Sequence, residues 1–460
     1  MNNVQPWWRE PTRKQWAAFS AAWVGWVLDA FDFTIYIVVA REMMKEFGVS
    51  ATAIGGSLTL TLLVRLAGGF VAGWMADRWG RKLPLMLSLV WFAVFDALIF
   101  FAPTFTWVIV FRTLFGFGMG AEWTAGTSLA MESFPARSRK FASGMLQAGW
   151  PVGFLLAAAT AYFVVPAFGW RAMFLIAALP ALLVIPIRMM VPDELSHAEK
   201  HEESKGAVKD LLAPGVFKMI VLGSAVMALG FIVYYGLVTH FGAVHFEVAA
   251  CAKTDLHCLA TVGAQAKIDQ IWFNVGMLVG VVAAGWVANR YGVIAALVTP
   301  ALLMVPALPL YVGMAPGVWV LGAFLGGALG VGYSGVTPVL TTSLFPAHCR
   351  ARAIGIVYHV GALIAAFVPT FIPWIAKESG MTLGMTMMIV VGAGLILMSA
   401  AILMLRNMIN VPVETRASAP SAFDVDTVPV ETPSLRPSAP LPVVATGLAD
   451  RASERRALLS

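Results

Sequence analysis

About twelve stretches of roughly 20 apolar residues, parted by short charged turns, dominate this chain and leave it few folds to choose from. They run over about 17–40, 54–75, 84–102, 107–131, 140–163 and 170–191, then over 216–240, 267–288, 294–313, 317–340, 350–374 and 384–406. At about 1.5 Å of rise per residue each can cross a hydrocarbon core about 30 Å thick, and a helix satisfies its own backbone polar groups there. The pattern predicts an all-α membrane protein of twelve transmembrane helices. Composition agrees, since 59% of the residues are hydrophobic and 12% charged, against roughly 45–50% and about 25% in soluble domains.

The formal net charge of +6 does not form one basic face, so no nucleic-acid partner is expected. The cations encode topology instead. One set of turns carries Arg9, Arg13, Lys14, Arg78, Arg81, Lys82, Arg137, Arg139 and Lys140, and in the second half Lys218, Arg290, Arg350, Arg352 and Arg406. The opposite face has only Arg41, Lys45, Arg171, Lys253, Lys267 and Lys377. The positive-inside rule then puts both termini in the cytoplasm of a multi-pass protein of the inner (plasma) membrane. No cleavable signal peptide is expected, because MNNVQPWWREPTRKQ has no apolar core. Cys251 and Cys258 fall in one external loop, 241–266, where they either form a bridge or remain two thiols; Cys349 falls on the cytoplasmic side.

Two halves echo each other at an offset of about 211 residues. Gly73-Trp74-Met75-Ala76-Asp77-Arg78-Trp79-Gly80 returns as Gly285-Trp286-Val287-Ala288-Asn289-Arg290-Tyr291-Gly292. Phe134-Pro135-Ala136, followed by Arg139 and Gly144, returns as Phe345-Pro346-Ala347 with Arg350 and Gly355. The expected organisation is a six-helix bundle over 1–191, a charged cytoplasmic linker over 192–215, a second bundle over 216–410 and a disordered cytoplasmic tail over 411–460. Paired bundles of this kind can rock about a site between them near the membrane midplane.

The turn after the second span reads Gly73-x-x-x-Asp77-Arg78-x-Gly80-Arg81-Lys82. Gly73 permits close helix approach, Asp77 can cap a helix or pair with a cation, and the basic residues hold the turn inside. On these positions, and on Arg112-x-x-x-Gly116-x-Gly118-x-Gly120 in the fourth span, the chain resembles the major facilitator superfamily over residues 15 to 407. The second copy of the turn has Asn289 for the acid and Val293 for the following base, so a full conformational latch is expected only in the first half. Asp29-Ala30-Phe31-Asp32-Phe33, Arg65 and Gly120-Ala121-Glu122-Trp123 further resemble the sialate:proton symporter family or the neighbouring metabolite:proton symporters. The resemblance implies proton-coupled uptake of an organic acid.

The ionisable residues within spans point the same way. Asp29 and Asp32 are three apart and share a helix face. Arg65 reaches similar depth from the other side, and Glu122 lies deeper than Arg112. Intramembrane charges normally face a cavity or one another. Low dielectric raises a carboxyl's pKa and a neighbouring guanidinium lowers it, so a carboxyl that gains and loses such a neighbour can bind and release a proton. Asp29, Asp32, Glu122 and Arg112 are therefore the proton-coupling candidates; for Arg112 a structural ion pair is the other role, and placement at the membrane interface, near the outer end of its span, is the alternative to both. Arg65 is the candidate anchor for a substrate carboxylate, with a static Asp–Arg pair between the first two spans as the alternative. Asp96 is expected to pack or cap.

The second half offers neutral groups instead: Tyr234, Tyr235, His240, Asn274, Tyr333, Tyr358 and His359. Of these Asn274, Tyr358 and His359 lie nearest mid-depth and are the candidates to orient substrate. The sequence has no metal-ligand helix and no phosphate loop. The expected protein is thus no enzyme and needs no cofactor or metal, only a proton gradient; its partners are a small organic anion, protons and the lipid bilayer, and it works as a monomer. An exporter on the same scaffold, or a receptor that binds without turnover, are the alternative readings.

Overall fold

A computed structural model of the chain describes residues 6–179, 208–252, 254–312, 316–404 and 406, which lie in one compact unit. The end of the sixth span, most of the expected linker (192–207) and the expected tail (411–460) lie outside the described residues. Every described element is helical. In the first half these are α1 (Arg13–Val38), α2 (Ala40–Phe47), α3 (Ala51–Trp79), α4 (Lys82–Phe100), α5 (Phe105–Ser133), α6 (Ala136–Gln147), α7 (Gly149–Phe168) and α8 (171–179). In the second they are α9 (Pro214–Val238), α10 (Phe241–Ala249), α11 (Leu256–Tyr291), α12 (Val293–Tyr311), α13 (Trp319–Ala328), α14 (Thr337–Leu344), α15 (Arg350–Ala365), α16 (Val368–Ser379) and α17 (Leu383–Met404).

Among the described residues, ten helical spans are long and apolar enough to cross a membrane. α5 has the length, at 29 residues, but carries Arg112, Glu122 and Glu132, which lower its hydropathy. With α5 and the span that α8 begins, the fold is two six-helix bundles. Side chains such as Leu87, Val94, Leu303 and Leu397 stay exposed. On a water-soluble protein that belt would be costly; here it faces acyl chains.

Several spans are broken where the sequence weakens the helix. α6 passes into α7 at Ala148, three residues before Pro151, and α15 into α16 just before Pro369, because proline cannot donate its backbone N–H and disfavours helical geometry in the residue before it. Between α13 and α14 the chain relaxes to a 3-10 turn at Gly332–Val336. The expected external loop over 241–266 is corrected. α10 occupies its first part, and α11 starts at Leu256, capped by Asp255, which accepts from the Cys258 backbone N–H at 2.9 Å. Residues 256–266, read from sequence as part of that loop, form the outer turns of one 36-residue helix. Cys251 and Cys258 are bridged and tie α10 to α11. Likewise residues 208–215, assigned to the linker, already contain a 3-10 turn and the start of α9.

Glycines set the tightest packing inside the first bundle. A Cβ added at Gly120 on α5 would lie 2.3 Å from the Arg65 carbonyl oxygen on α3, so only glycine permits this approach. The span-four glycines therefore fix where Arg65 sits.

Candidate functional site

Arg65 and Asp29 face each other across the first bundle, with Arg65 Nη2 3.4 Å from Asp29 Oδ2. Both are buried. The Arg65 guanidinium also lies 5.4 Å from the Tyr358 ring centroid, a cation–π contact reaching into the second half. Tyr358 in turn stacks on Trp123 at 4.3 Å. Arg65 and Tyr358 both line a central cavity that is partly open to solvent. Its walls come from both bundles, with Trp26, Gln147 and Trp150 on one side and Phe231, Tyr234 and Tyr333 on the other.

A second ion pair lies close by. Arg112 Nη1 is 3.4 Å from Asp96 Oδ1, and its Nη2 donates to the backbone oxygens of Asp32 and Phe33 at 3.1 and 3.4 Å. Tyr36 and Phe115 cover the guanidinium at 4.9 and 4.1 Å. Arg112 does not reach the interface, being fully buried. Asp96 is its ion-pair partner, a role that the expectation of packing or capping did not assign. Asp32 feels the charges of Asp96, Arg112 and Asp29, and its Oδ1 has no hydrogen-bond partner among the described residues. Glu122 is buried within electrostatic reach of Asp29. Six ionisable groups weighed from sequence, Asp29, Asp32, Arg65, Asp96, Arg112 and Glu122, thus form one buried neighbourhood, of which Arg65 lines the cavity.

Two candidates fall elsewhere. Asn274 donates from Nδ2 to the Gln270 carbonyl of its own helix at 2.9 Å and does not line the cavity. Helix-internal bonding of this kind is open to any buried Asn, and depth alone could not separate it from a ligand role. His359 lies off the cavity as well. Its Nε2 donates to the Gly120 carbonyl at 3.1 Å, and a Cβ at Gly69 would collide with its ring, so it is a strut between bundles. Its neighbour Tyr358 is turned about 100° away along the helix and faces the cavity. His240 accepts no such role either, since its Nε2 meets the Pro369 carbonyl at 2.9 Å.

The repeated turn builds a charged closure at one end of the molecule. Asp77 accepts from Arg81 Nη1 at 2.7 Å, from the backbone N–H groups of Ala351 and Arg352 at 3.1 and 3.2 Å, and from Arg352 Nε at 2.9 Å. Glu132 accepts from Arg81 and from Arg350 Nη1, the latter at 3.0 Å. A Cβ at Gly73 would lie 2.7 Å from the Arg352 Cα, so the glycine lets α3 touch α15. The second copy behaves differently. Asn289 is exposed and Arg290 donates to the neighbouring Tyr291 hydroxyl, as the loss of the acid there leads one to expect. Arg78 packs over Trp74 and Trp79.

Sequence reasoning missed the polar seam between α6–α7 and the second half. Ser143 Oγ donates to the Gly335 carbonyl at 2.8 Å, Gln147 Nε2 to Thr337 Oγ1 at 3.4 Å, and Trp150 Nε1 to the Tyr234 hydroxyl at 3.0 Å. Small polar residues on an apolar span were the only available signal.

A family model for the Major Facilitator Superfamily matches residues 22–254. A probable 4-methylmuconolactone transporter of Cupriavidus pinatubonensis is 34% identical over 155 residues, which are 34% of this chain and 36% of that protein. The sialic acid transporter NanX of Escherichia coli is 26% identical over 84% of this chain and 92% of its own length. Among solved structures, the proton:xylose symporter XylE matches with a TM-score of 0.69 at 18% identity, over 86% of this chain and 96% of XylE.

Proposed function

The chain belongs to the major facilitator superfamily, and from that premise we propose that it imports a small organic carboxylate together with protons. It is a transporter, not an enzyme; the substrate class, the proton and the direction are the proposal. One observation carries it: Arg65 both lines the cavity and is paired with the buried Asp29. An isolated charge is expensive in such surroundings. A substrate carboxylate that takes over the guanidinium would strand Asp29 unless the latter binds a proton. Arg65 with Asp29 before loading, and Arg65 with the substrate anion beside protonated Asp29 after it, are both neutral. Substrate and proton therefore enter together.

Asp32, Glu122 and the Arg112–Asp96 pair are placed to pass the proton onward or to set the field around Asp29. Release requires the far end to open, and the Asp77–Glu132 network is the closure that must break. The relative named for sialic acid handles an acid, which supports the carboxylate class. No cofactor enters this scheme, since the proton gradient supplies the energy. The cavity lies within one chain, so the monomer is the working unit, in the inner membrane with both termini in the cytoplasm.

The test is accumulation in proteoliposomes against a panel of carboxylates. An alkaline lumen should drive uptake of a bound carboxylate, and collapse of the gradient by an ionophore should abolish it. Accumulation that survives the ionophore, or that follows an acidified lumen instead, would overturn coupling or direction.

A further inference from the structure

We infer that the cavity selects a monocarboxylate borne on an aromatic ring, rather than an aliphatic acid or a dicarboxylate. The inference rests on the carboxylate reading of Arg65 and narrows it. The wall is built of rings. Trp26 and Trp150 lie 4.9 Å apart, Phe33 lies 5.8 Å from Trp150, and Phe231 meets Tyr358 edge-on at 5.0 Å. Between them stand aliphatic and thioether side chains, among them Met227, Met277 and Met398. Offset and edge-to-face ring contacts favour an aromatic guest over an aliphatic one of the same size, and thioethers favour ring contacts too.

Several polar groups of the wall are spent within the protein. Tyr333 donates its hydroxyl to the Gly230 carbonyl at 2.6 Å, Thr337 donates to the Ser334 carbonyl at 2.7 Å and receives Gln147, and the Tyr234 hydroxyl receives Trp150. Arg65 Nε, Trp26 Nε1, Gln147 Oε1 and Ser334 Oγ are buried lining atoms without a partner among the described residues, and Tyr235 and Tyr358 bring two further hydroxyls to the wall. These groups can satisfy a carboxylate and polar ring substituents. Charge narrows the choice further. Arg65 is the one lining residue with a formal charge among those described, so a second carboxylate would enter the cavity without a cation.

The experiment is a binding titration of the full-length protein in detergent with benzoate, cyclohexanecarboxylate, terephthalate, D-gluconate and benzamide. Benzoate is expected to bind about tenfold or more tighter than each of the others, the size of effect that ring contacts reach. Phe231→Leu should narrow the gap between benzoate and cyclohexanecarboxylate by weakening benzoate more than cyclohexanecarboxylate. Cyclohexanecarboxylate, terephthalate or gluconate binding as tightly as benzoate would overturn the inference and leave the carboxylate reading standing. Benzamide binding as tightly as benzoate, or no binding of any acid in the millimolar range, would overturn both.

Discussion

Arg352 of the second half donates its Nε to Asp77 of the first at 2.9 Å, with both side chains buried. The same carboxylate takes the backbone N–H groups of Ala351 and Arg352, so it caps α15 from the opposite bundle. A charge-assisted cap of this kind joins the two halves at this end, and the proposed transport cycle requires it to break.

Asp77→Asn keeps the shape and removes the charge, and the closure should weaken. Cys349 reports it, being buried beside the network and the single free cysteine among the described residues. Its alkylation should be slow in the wild type and accelerate about tenfold for each 1.4 kcal/mol that the closure loses. An unchanged labelling rate in a folded Asp77→Asn protein would mean that the network does not hold this end shut.

Glu122→Gln separates proton carriage from packing. If Glu122 carries the proton, uphill accumulation disappears while exchange between preloaded vesicles survives. A structural carboxylate would instead take stability and both transport modes down together, since loss of one member of a buried ionic contact costs about 3–5 kcal/mol. The account expects the first pattern, and a folded variant with undiminished uphill uptake would move the role to Asp29 and Asp32.

At the opposite end, His245 joins α10 to α11. Its Nε2 meets Asp269 at 2.8 Å, its Nδ1 meets the Phe241 carbonyl at 2.7 Å, and Gln265 also donates to Asp269 at 2.8 Å. His245→Ala should cost about 1–3 kcal/mol or more, because it strips a donor from a buried carboxylate. Reduction of the nearby Cys251–Cys258 bridge should lower the melting temperature further in the same region. A melting temperature unmoved by both changes would show that this joint contributes nothing to stability.

Glu46 gives a pH signature outside the membrane. Desolvation pushes its carboxyl up, but hydrogen bonds from Arg171 and Trp170 outweigh this and hold it below its ordinary value of 4.5. The lowered value favours the folded state above pH 4.5, and that contribution is lost as pH falls through the lowered value. The pair is partly exposed, so the effect is at most about 1 kcal/mol. Melting curves of wild type and Glu46→Gln should differ at neutral pH and converge in acid; a constant gap would contradict the assignment.

The spans, the repeat and the buried ionisable set were legible because each leaves a strong local signature: an apolar run, a recurring turn, a charge where none is cheap. An Asp–Arg pair between the first two spans was weighed from depth, but depth did not single out Asp29 over Asp32. Pairings across bundles were not legible. Nothing local distinguishes Tyr358, which faces the cavity, from His359, which faces Gly120, because one residue of helix rotation decides it. Asn274 was misplaced for the same reason. The helical form of 256–266 was hidden because Gly263, Gln265, Lys267 and Asp269 interrupt the apolar run between it and the span, although a helix needs no unbroken apolar pattern beyond the hydrocarbon.

The most direct test follows protons during binding. Full-length protein in weakly buffered detergent solution is mixed with benzoate, or with whichever carboxylate binds, while pH is recorded. The account predicts proton uptake from solution as the anion displaces Asp29 from Arg65, and predicts that Asp29→Asn binds the same anion with no proton taken up. Carboxylate binding to the wild type without proton uptake, or uptake undiminished in Asp29→Asn, would contradict the exchange of partners on Arg65 from which proton coupling is derived.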